Sequence, residues 1–149
     1  MKIAFACDHR GFLIKKNILD YLKSKGINIV DCGTDSEAST DYPDYIFKAA
    51  ELVAQKECDV AIAACHSGIG SAIAANKVRG VRAALVHTAE QARLSRGHND
   101  ANMLVLGSGF ITKEQVVPIV EAWLSAEFEG DRHERRVRKI TDYEKHHSK

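Results

Sequence analysis

The sequence contains no long apolar run. Nothing in its 149 residues approaches the ~20 consecutive apolar positions of a membrane-spanning helix. The N-terminal stretch IAFAC ends at Asp8 and His9, shorter than the apolar region of a secretory leader. A cytoplasmic protein is therefore expected. Excess charge is also missing: 21 Lys and Arg stand against 20 Asp and Glu, a formal net charge of +1. That balance offers no broad field for a nucleic acid or a membrane surface, so neither is expected as a partner. The four cysteines, Cys7, Cys32, Cys58 and Cys65, include no Cys-x-x-Cys pair. Free thiols are the default for such a set in the cytosol. Internal repeats, linkers and low-complexity tracts are absent as well.

What is present is an alternation of short apolar runs with longer amphipathic ones. The length suits one domain with a sizeable core, so residues 1–149 are read as a single domain. KIAFAC, from Lys2, reads as a first strand. From Gly11 to Lys25, apolar residues at 12, 14, 18, 19 and 22 give mostly helical spacing, stopped by Gly26. INIVDCG reads as a strand, and a helix is expected from Pro43 to about Lys56. DVAIAAC is almost continuously apolar, as a strand covered on both faces should be. A helix within or after SGIGS, the strand VRAALV, the helix TAEQARLSR and the strand NMLVLGS follow. Thr112 caps KEQVVPIVEAWLSAEF, where Pro118 predicts a kink or a later start. The charged tail from Glu127 is expected to end in a docked helix from about residue 130. Strand–helix repetition of this kind makes an α/β protein with a five-stranded parallel sheet and helices on both faces, three layers in all.

In such sheets ligands bind beyond the carboxyl ends of the strands. Cys65 closes the third strand there, and the turn after it feeds a helix N-terminus. Unsatisfied N–H groups and the helix dipole favour an ionised thiol and can hold an oxyanion. One stretch, Cys65-His66-Ser67-Gly68-Ile69-Gly70-Ser71, therefore offers a base beside an anion hole; a buried structural cysteine before an ordinary turn is the plainer alternative. Asp8 and His9 follow the first strand at the same edge, where Asp8 serves either a sugar hydroxyl or a helix N-cap. His98 and Asn99 end the fourth helix; a proton carrier beside an amide suits chemistry, and a polar helix end is the alternative. Arg132 and Arg136 share a helix face and can grip a phosphate together, or simply solvate the tail. Asp8, His9, His66 and His98 have the ligand types of a divalent metal site, but they come from separate loops without ligand spacing.

DHRGF, DYPDY, GIGSAIAANK, RAAL, SRGHNDANMLVLG and FEGDRHERRV occur in this order across nearly the whole chain. On these motifs the chain resembles the ribose-5-phosphate isomerase type B group of sugar-phosphate isomerases, a family that includes galactose-6-phosphate isomerase subunits. The resemblance implies a Rossmann-like sheet, dimers or tetramers built from dimers, no cofactor and no metal. It implies an aldose–ketose isomerase interconverting D-ribose 5-phosphate and D-ribulose 5-phosphate through an enediolate. Cys65 then matches the thiol base and Ser67 to Gly70, leading into Ser71, the anion hole. Asp8, Tyr42 and Asn99 match residues that bind sugar hydroxyls, and His98 matches the residue that opens the furanose ring. His98 and Asn99 are expected to face the neighbouring subunit's site. His9, Arg132 and Arg136 match the phosphate grip. Cys65 also favours the ribose branch, because galactose-6-phosphate isomerase subunits lack a cysteine there. Two departures stand out. The family's loop usually reads Cys-Gly-Thr-Gly-x-Gly, where this chain has His66 and Ser67, and an arginine often stands where this chain has Gly109. They leave open a different sugar phosphate, of hexose or tetrose length, or a non-catalytic sugar-phosphate-binding module.

Overall fold

The computed structural model describes residues 1–147; the last two residues of the expected 1–149 domain lie outside the described residues. In chain order the elements are β1 (Lys2–Cys7), α1 (Phe12–Ser24), β2 (Asn28–Asp31), α2 (Tyr42–Ala54), β3 (Val60–Cys65), α3 (Ile69–Ala75), β4 (Ala83–Leu85), α4 (Ala89–Asn99), β5 (Met103–Gly107), α5 (Lys113–Ser125) and α6 (Asp131–His147). The five strands form one parallel sheet in the order β2-β1-β3-β5-β4. This is the α/β, Rossmann-like architecture expected from the sequence. The near-continuous apolarity of VAIAAC has its reason here: β3 is the central strand and all six of its residues are buried.

Side chains alternate between two cores, as the pleat requires. Ile3, Phe5, Cys7, Ile62, Ala64, Leu104 and Leu106 face the helices α1, α4 and α5, with Trp123 fully enclosed. Ala4, Ala6, Ala61, Ala63, Met103 and Val105 face α2 and α3. The alanines on that second face let α2 and α3 lie close over the sheet. Strand direction from β1 splits, to β2 on one side and β3 on the other. The crevice between the carboxyl ends of β1 and β3 is thus the topological switch point, where doubly wound sheets bind ligands.

α4 ends at Asn99, with His98 and Asn99 in its last turn as the sequence reading had them; Asp100, at φ 45°, supplies the left-handed cap. The boundaries of α5 differ from the sequence reading. α5 starts at Lys113, not later, because Thr112 and Gln115 form a capping box ahead of Pro118. It also stops at Ser125, three residues short of the expected Phe128. Lys15 makes a connection that local pattern does not reveal. Its buried ammonium sits 2.8 Å from Asp31 and 2.9 Å from Asp35 and donates to the carbonyl of Thr34, pinning the exit of β2 against α1.

All four cysteines are free thiols. Cys7 lies under Gly33, where a Cβ would come within 2.8 Å of its Sγ. Burial pushes the Cys7 thiol up from 9.0 to about 12. An unfolded chain ionises this thiol near 9.0 while the folded chain keeps its proton, so its stabilising contribution is complete below about pH 9 and is lost as pH rises towards about 12. The melting temperature is expected to fall across that window, and to fall less in Cys7→Ala. Parallel declines in the two proteins, followed by calorimetry, would contradict this account of Cys7.

Candidate active site

Gly11 sets the geometry of the switch point. A Cβ there would lie 2.0 Å from the carbonyl oxygen of Ala64, so only glycine lets the β1–α1 turn press against the end of β3. Cys7 and Ala64 are paired in register, which places Asp8 beside Cys65. Asp8 is 5% exposed and its Oδ1 accepts the N–H groups of Arg10 (3.0 Å) and Gly11 (2.9 Å). One carboxylate oxygen therefore caps the turn, and Oδ2 remains for a ligand. His9 accepts the Thr40 N–H at Nδ1 (3.2 Å), so a neutral ring carries its proton on Nε2. The same hydrogen bond draws the loop before α2 over the site. Tyr42, the first residue of α2, extends its ring across Gly70. A Cβ on Gly70 would lie 2.5 Å from Cζ and 2.7 Å from the hydroxyl.

Cys65 ends β3 and is 5% exposed. Its Sγ accepts the backbone N–H of Gly68 at 3.2 Å. Gly68 adopts φ 77°, the left-handed conformation that turns the chain back over the sulfur. Ser67 Oγ accepts the Ile69 N–H at 3.2 Å. Two donors of the expected anion hole are thus engaged, by the thiol and by Ser67. The first-turn N–H groups of Gly70 and Ser71 remain, donors that a helix does not use internally. Ser71 Oγ is fully buried and, among the described residues, without a hydrogen-bond partner.

His66 projects from the residue after the thiol and is exposed. Its carbonyl accepts the Gly109 N–H (2.9 Å), and the Cys65 carbonyl accepts the Ser108 N–H (2.9 Å). The two loops are tied together at this point. The imidazole lies over Gly109, where a Cβ would sit 2.3 Å from Cε1. Phe110 lies beyond, 5.9 Å from the His66 centroid and 6.3 Å from His87. His66 and Gly109 are therefore one packing unit.

The remaining sequence candidates gather elsewhere. His98 Nε2 lies 3.5 Å from Glu129 Oε2, and the His98 ring stacks on His133 at 4.1 Å. Asn99 is exposed, and its carbonyl accepts Arg82 Nε at 3.0 Å. Arg132 and Arg136 are exposed on α6; among the described residues neither is ion-paired, whereas Arg138 pairs with Glu134 at 3.0 Å. This second group lies at the opposite edge of the sheet from Cys65. α4 leads directly into Met103 at the amino end of β5, while Cys65 pairs with Gly107 at its carboxyl end. Along one chain the two groups are separated by the length of β5, about 13 Å at ~3.3 Å per residue. Asp8, His9, His66 and His98 do not converge. Among the described residues, the cluster whose donor atoms all lie within 4.8 Å is His98, Glu129 and His133. Glu129 and His133 are thus neighbours of His98 that sequence reasoning did not place. Their spacing, four residues apart in FEGDRHERRV, was the available signal.

The family model described as Ribose/Galactose Isomerase matches residues 3–140. The chain belongs to that family. It is 46% identical over 143 residues to ribose-5-phosphate isomerase B of Escherichia coli K12, covering 96% of each chain. The solved structure of ribose-5-phosphate isomerase B from Clostridium thermocellum superposes with a TM-score of 0.97 at 47% identity, covering 99% of this chain and 100% of that one. The Mycoplasma genitalium ribose-5-phosphate isomerase B, solved with bound ribulose-5-phosphate, gives 0.92 at 45% identity over 97% and 96% of the two chains. No helix among the described residues is long and apolar enough to cross a membrane.

Proposed function

We propose that the chain interconverts D-ribose 5-phosphate and D-ribulose 5-phosphate by metal-independent proton transfer, with Cys65 as the base. The carrying observation is the thiol at the switch point with the Gly68 N–H directed at its sulfur. Similarity over almost the full length to a relative solved with ribulose-5-phosphate supports the substrate class. In the open-chain aldose, Cys65 takes the C2 proton, the electrons form the C1–C2 double bond of the enediolate, and the thiol returns the proton to C1. The hydroxyl proton on O2 passes to O1 in the same exchange. Gly70 and Ser71 N–H groups are the donors left for the developing oxyanion. Asp8 Oδ2, the Tyr42 hydroxyl and Asn99 take sugar hydroxyls. His9, through Nε2–H, takes the phosphate with Arg132 and Arg136.

The site is completed by a second copy of the chain. His98, Asn99, Arg132 and Arg136 stand at the wrong sheet edge for their own Cys65, so a homodimer with shared sites is the arrangement that unites them. Ile69 and Ile73 on α3 and Ile140 and Tyr143 on α6 are all more than half exposed, an apolar surface suited to cover by a partner. His98 then moves the proton from the anomeric hydroxyl to the ring oxygen as the bond between C1 and that oxygen breaks. Free cysteines throughout suit a reducing cytoplasm.

The packing of His66 on Gly109 bears on which sugar fits. An arginine at 109 must displace the imidazole beside the base, because the 2.3 Å approach leaves no room for both. Gly109→Arg alone is expected to lower kcat/KM about tenfold, within the ~0.5–3 kcal/mol couplings seen between touching residues. Adding His66→Gly is expected to recover most of that loss. The readout is a panel of tetrose, pentose and hexose phosphates assayed for both single variants and the double. Additive losses would show that the two positions act separately, and an unchanged substrate ranking would remove them from specificity.

A further inference from the structure

Glu129 lies between α5 and α6, where the chain returns over α4. Its N–H donates to the carbonyl of Gly97 at 3.0 Å. Its Oε2 lies 3.5 Å from Nε2 of His98 and 3.7 Å from Nε2 of His133, and its Oε1 lies 3.6 Å from Arg93 Nη1. Gly97 permits this approach: a Cβ there would come within 2.8 Å of Glu129 Oε1. The His98 and His133 rings are stacked 4.1 Å apart and within 6° of parallel. Burial, then the charges of His98 and Arg132, hold His133 below the usual histidine range.

These groups form a holder for a ring more readily than for an ion. The donor types and the 4.8 Å cluster suit a divalent metal. The lone pairs of imidazoles, however, lie in the ring planes, and two parallel planes 4.1 Å apart do not aim at one point. Arg93 beside the carboxylate and the positive charges of Arg132 and Arg136 around His133 add to the disfavour.

We infer that Glu129 is a positioning residue for His98, holding its imidazole by the Nε2 edge against His133 so that Nδ1 is presented to the sugar. This rests on the ring-opening role proposed for His98. A carboxylate beside Nε2 favours the tautomer with its proton there and leaves the Nδ1 lone pair for proton exchange. Glu129 touches no reacting atom; it acts through the orientation and tautomer of His98.

The experiment compares Glu129→Gln, Gly97→Ala and His98→Asn. Each is assayed on ribose 5-phosphate, which closes to a furanose, and on a tetrose 4-phosphate, whose esterified O4 prevents closure. In Glu129→Gln the furanose-to-open-chain ratio of kcat/KM is expected to fall about tenfold, a typical loss for an orienting partner. Gly97→Ala moves the carboxylate without altering its chemistry and is expected to lower the same ratio. It should not lower the melting temperature, since alanine is the better helix former. Nitrogen-15 spectra of His98 are expected to show an Nε2–H tautomer in the wild type and a mixture in Glu129→Gln. If His98→Asn lowers the ratio and Glu129→Gln does not, the positioning role is wrong. If His98→Asn itself leaves the ratio unchanged, the ring-opening reading fails instead. In that case the spectra decide on Glu129, and an unaltered tautomer overturns the inference.

Discussion

Cys65→Ala is expected to abolish isomerisation while leaving the protein folded. The sulfur is the group at the switch point that faces both the Asp8 turn and the Gly68–Ser71 turn, and no other thiol approaches it in role. Cys7 is buried under Gly33, with its thiol pushed up to about 12. Burial likewise raises the thiols of Cys32 and Cys58. General bases contribute roughly 10²- to 10⁴-fold, so kcat should fall at least a hundredfold with a much smaller change in KM. Removing one buried sulfur costs about 1 kcal/mol, typical of a single core truncation, so the melting temperature should move by only a few degrees. Iodoacetamide should modify Cys65 ahead of the other three thiols, and substrate should slow the modification. Exchange of solvent deuterium into C1 of ribulose 5-phosphate should disappear together with turnover. Residual turnover above about one percent of wild type would assign the base elsewhere, since it exceeds what loss of a general base allows.

The architecture was largely legible because its signals are local. The unbroken apolarity of VAIAAC, and of KIAFAC after Lys2, follows from two-sided burial. The expected base, its glycine turn and Asp8 all followed from strand ends, which sequence marks well. Long-range features were not legible. Strand order depends on pairings between segments as distant as Lys2 and Asn28 or Ala61 and Met103. The clasp of Lys15 by Asp31 and Asp35 joins a helix to a later loop. The sequence placed His98 and Asn99 at the end of α4, but not the missing Cβ of Gly97 that makes room there for Glu129. The turn proposed as the anion hole was legible as a turn but not in its wiring. Whether a given N–H is free depends on where the Ser67 hydroxyl and the Cys65 sulfur point. The departure at residue 109 likewise gains a physical reason only when the His66 ring is seen occupying that space.

The second large effect is recovery of activity from two inactive proteins. Cys65→Ala and His98→Asn are each expected to turn over ribose 5-phosphate poorly, one for want of a base and the other for want of ring opening. Within a chain the two side chains lie at opposite edges of the sheet, separated by the length of β5. On the proposed shared-site arrangement, a working site draws Cys65 from one chain and His98 from its partner. In a two-fold dimer of one variant with the other, one site carries both substitutions and the other carries neither. If equal amounts exchange at random, half of the dimers are hybrids with one intact site of two, so about a quarter of wild-type activity should return. The recovery should track subunit exchange, followed by mixing differently tagged chains and isolating the doubly tagged species. It should be absent when the same variant is mixed with itself. Hybrids that form in full yet stay at the background of the parent proteins would place Cys65 and His98 in one chain's site. The fold would then have to bring the end of α4 past β5 to the carboxyl edge, which the register of Cys65 with Gly107 opposes.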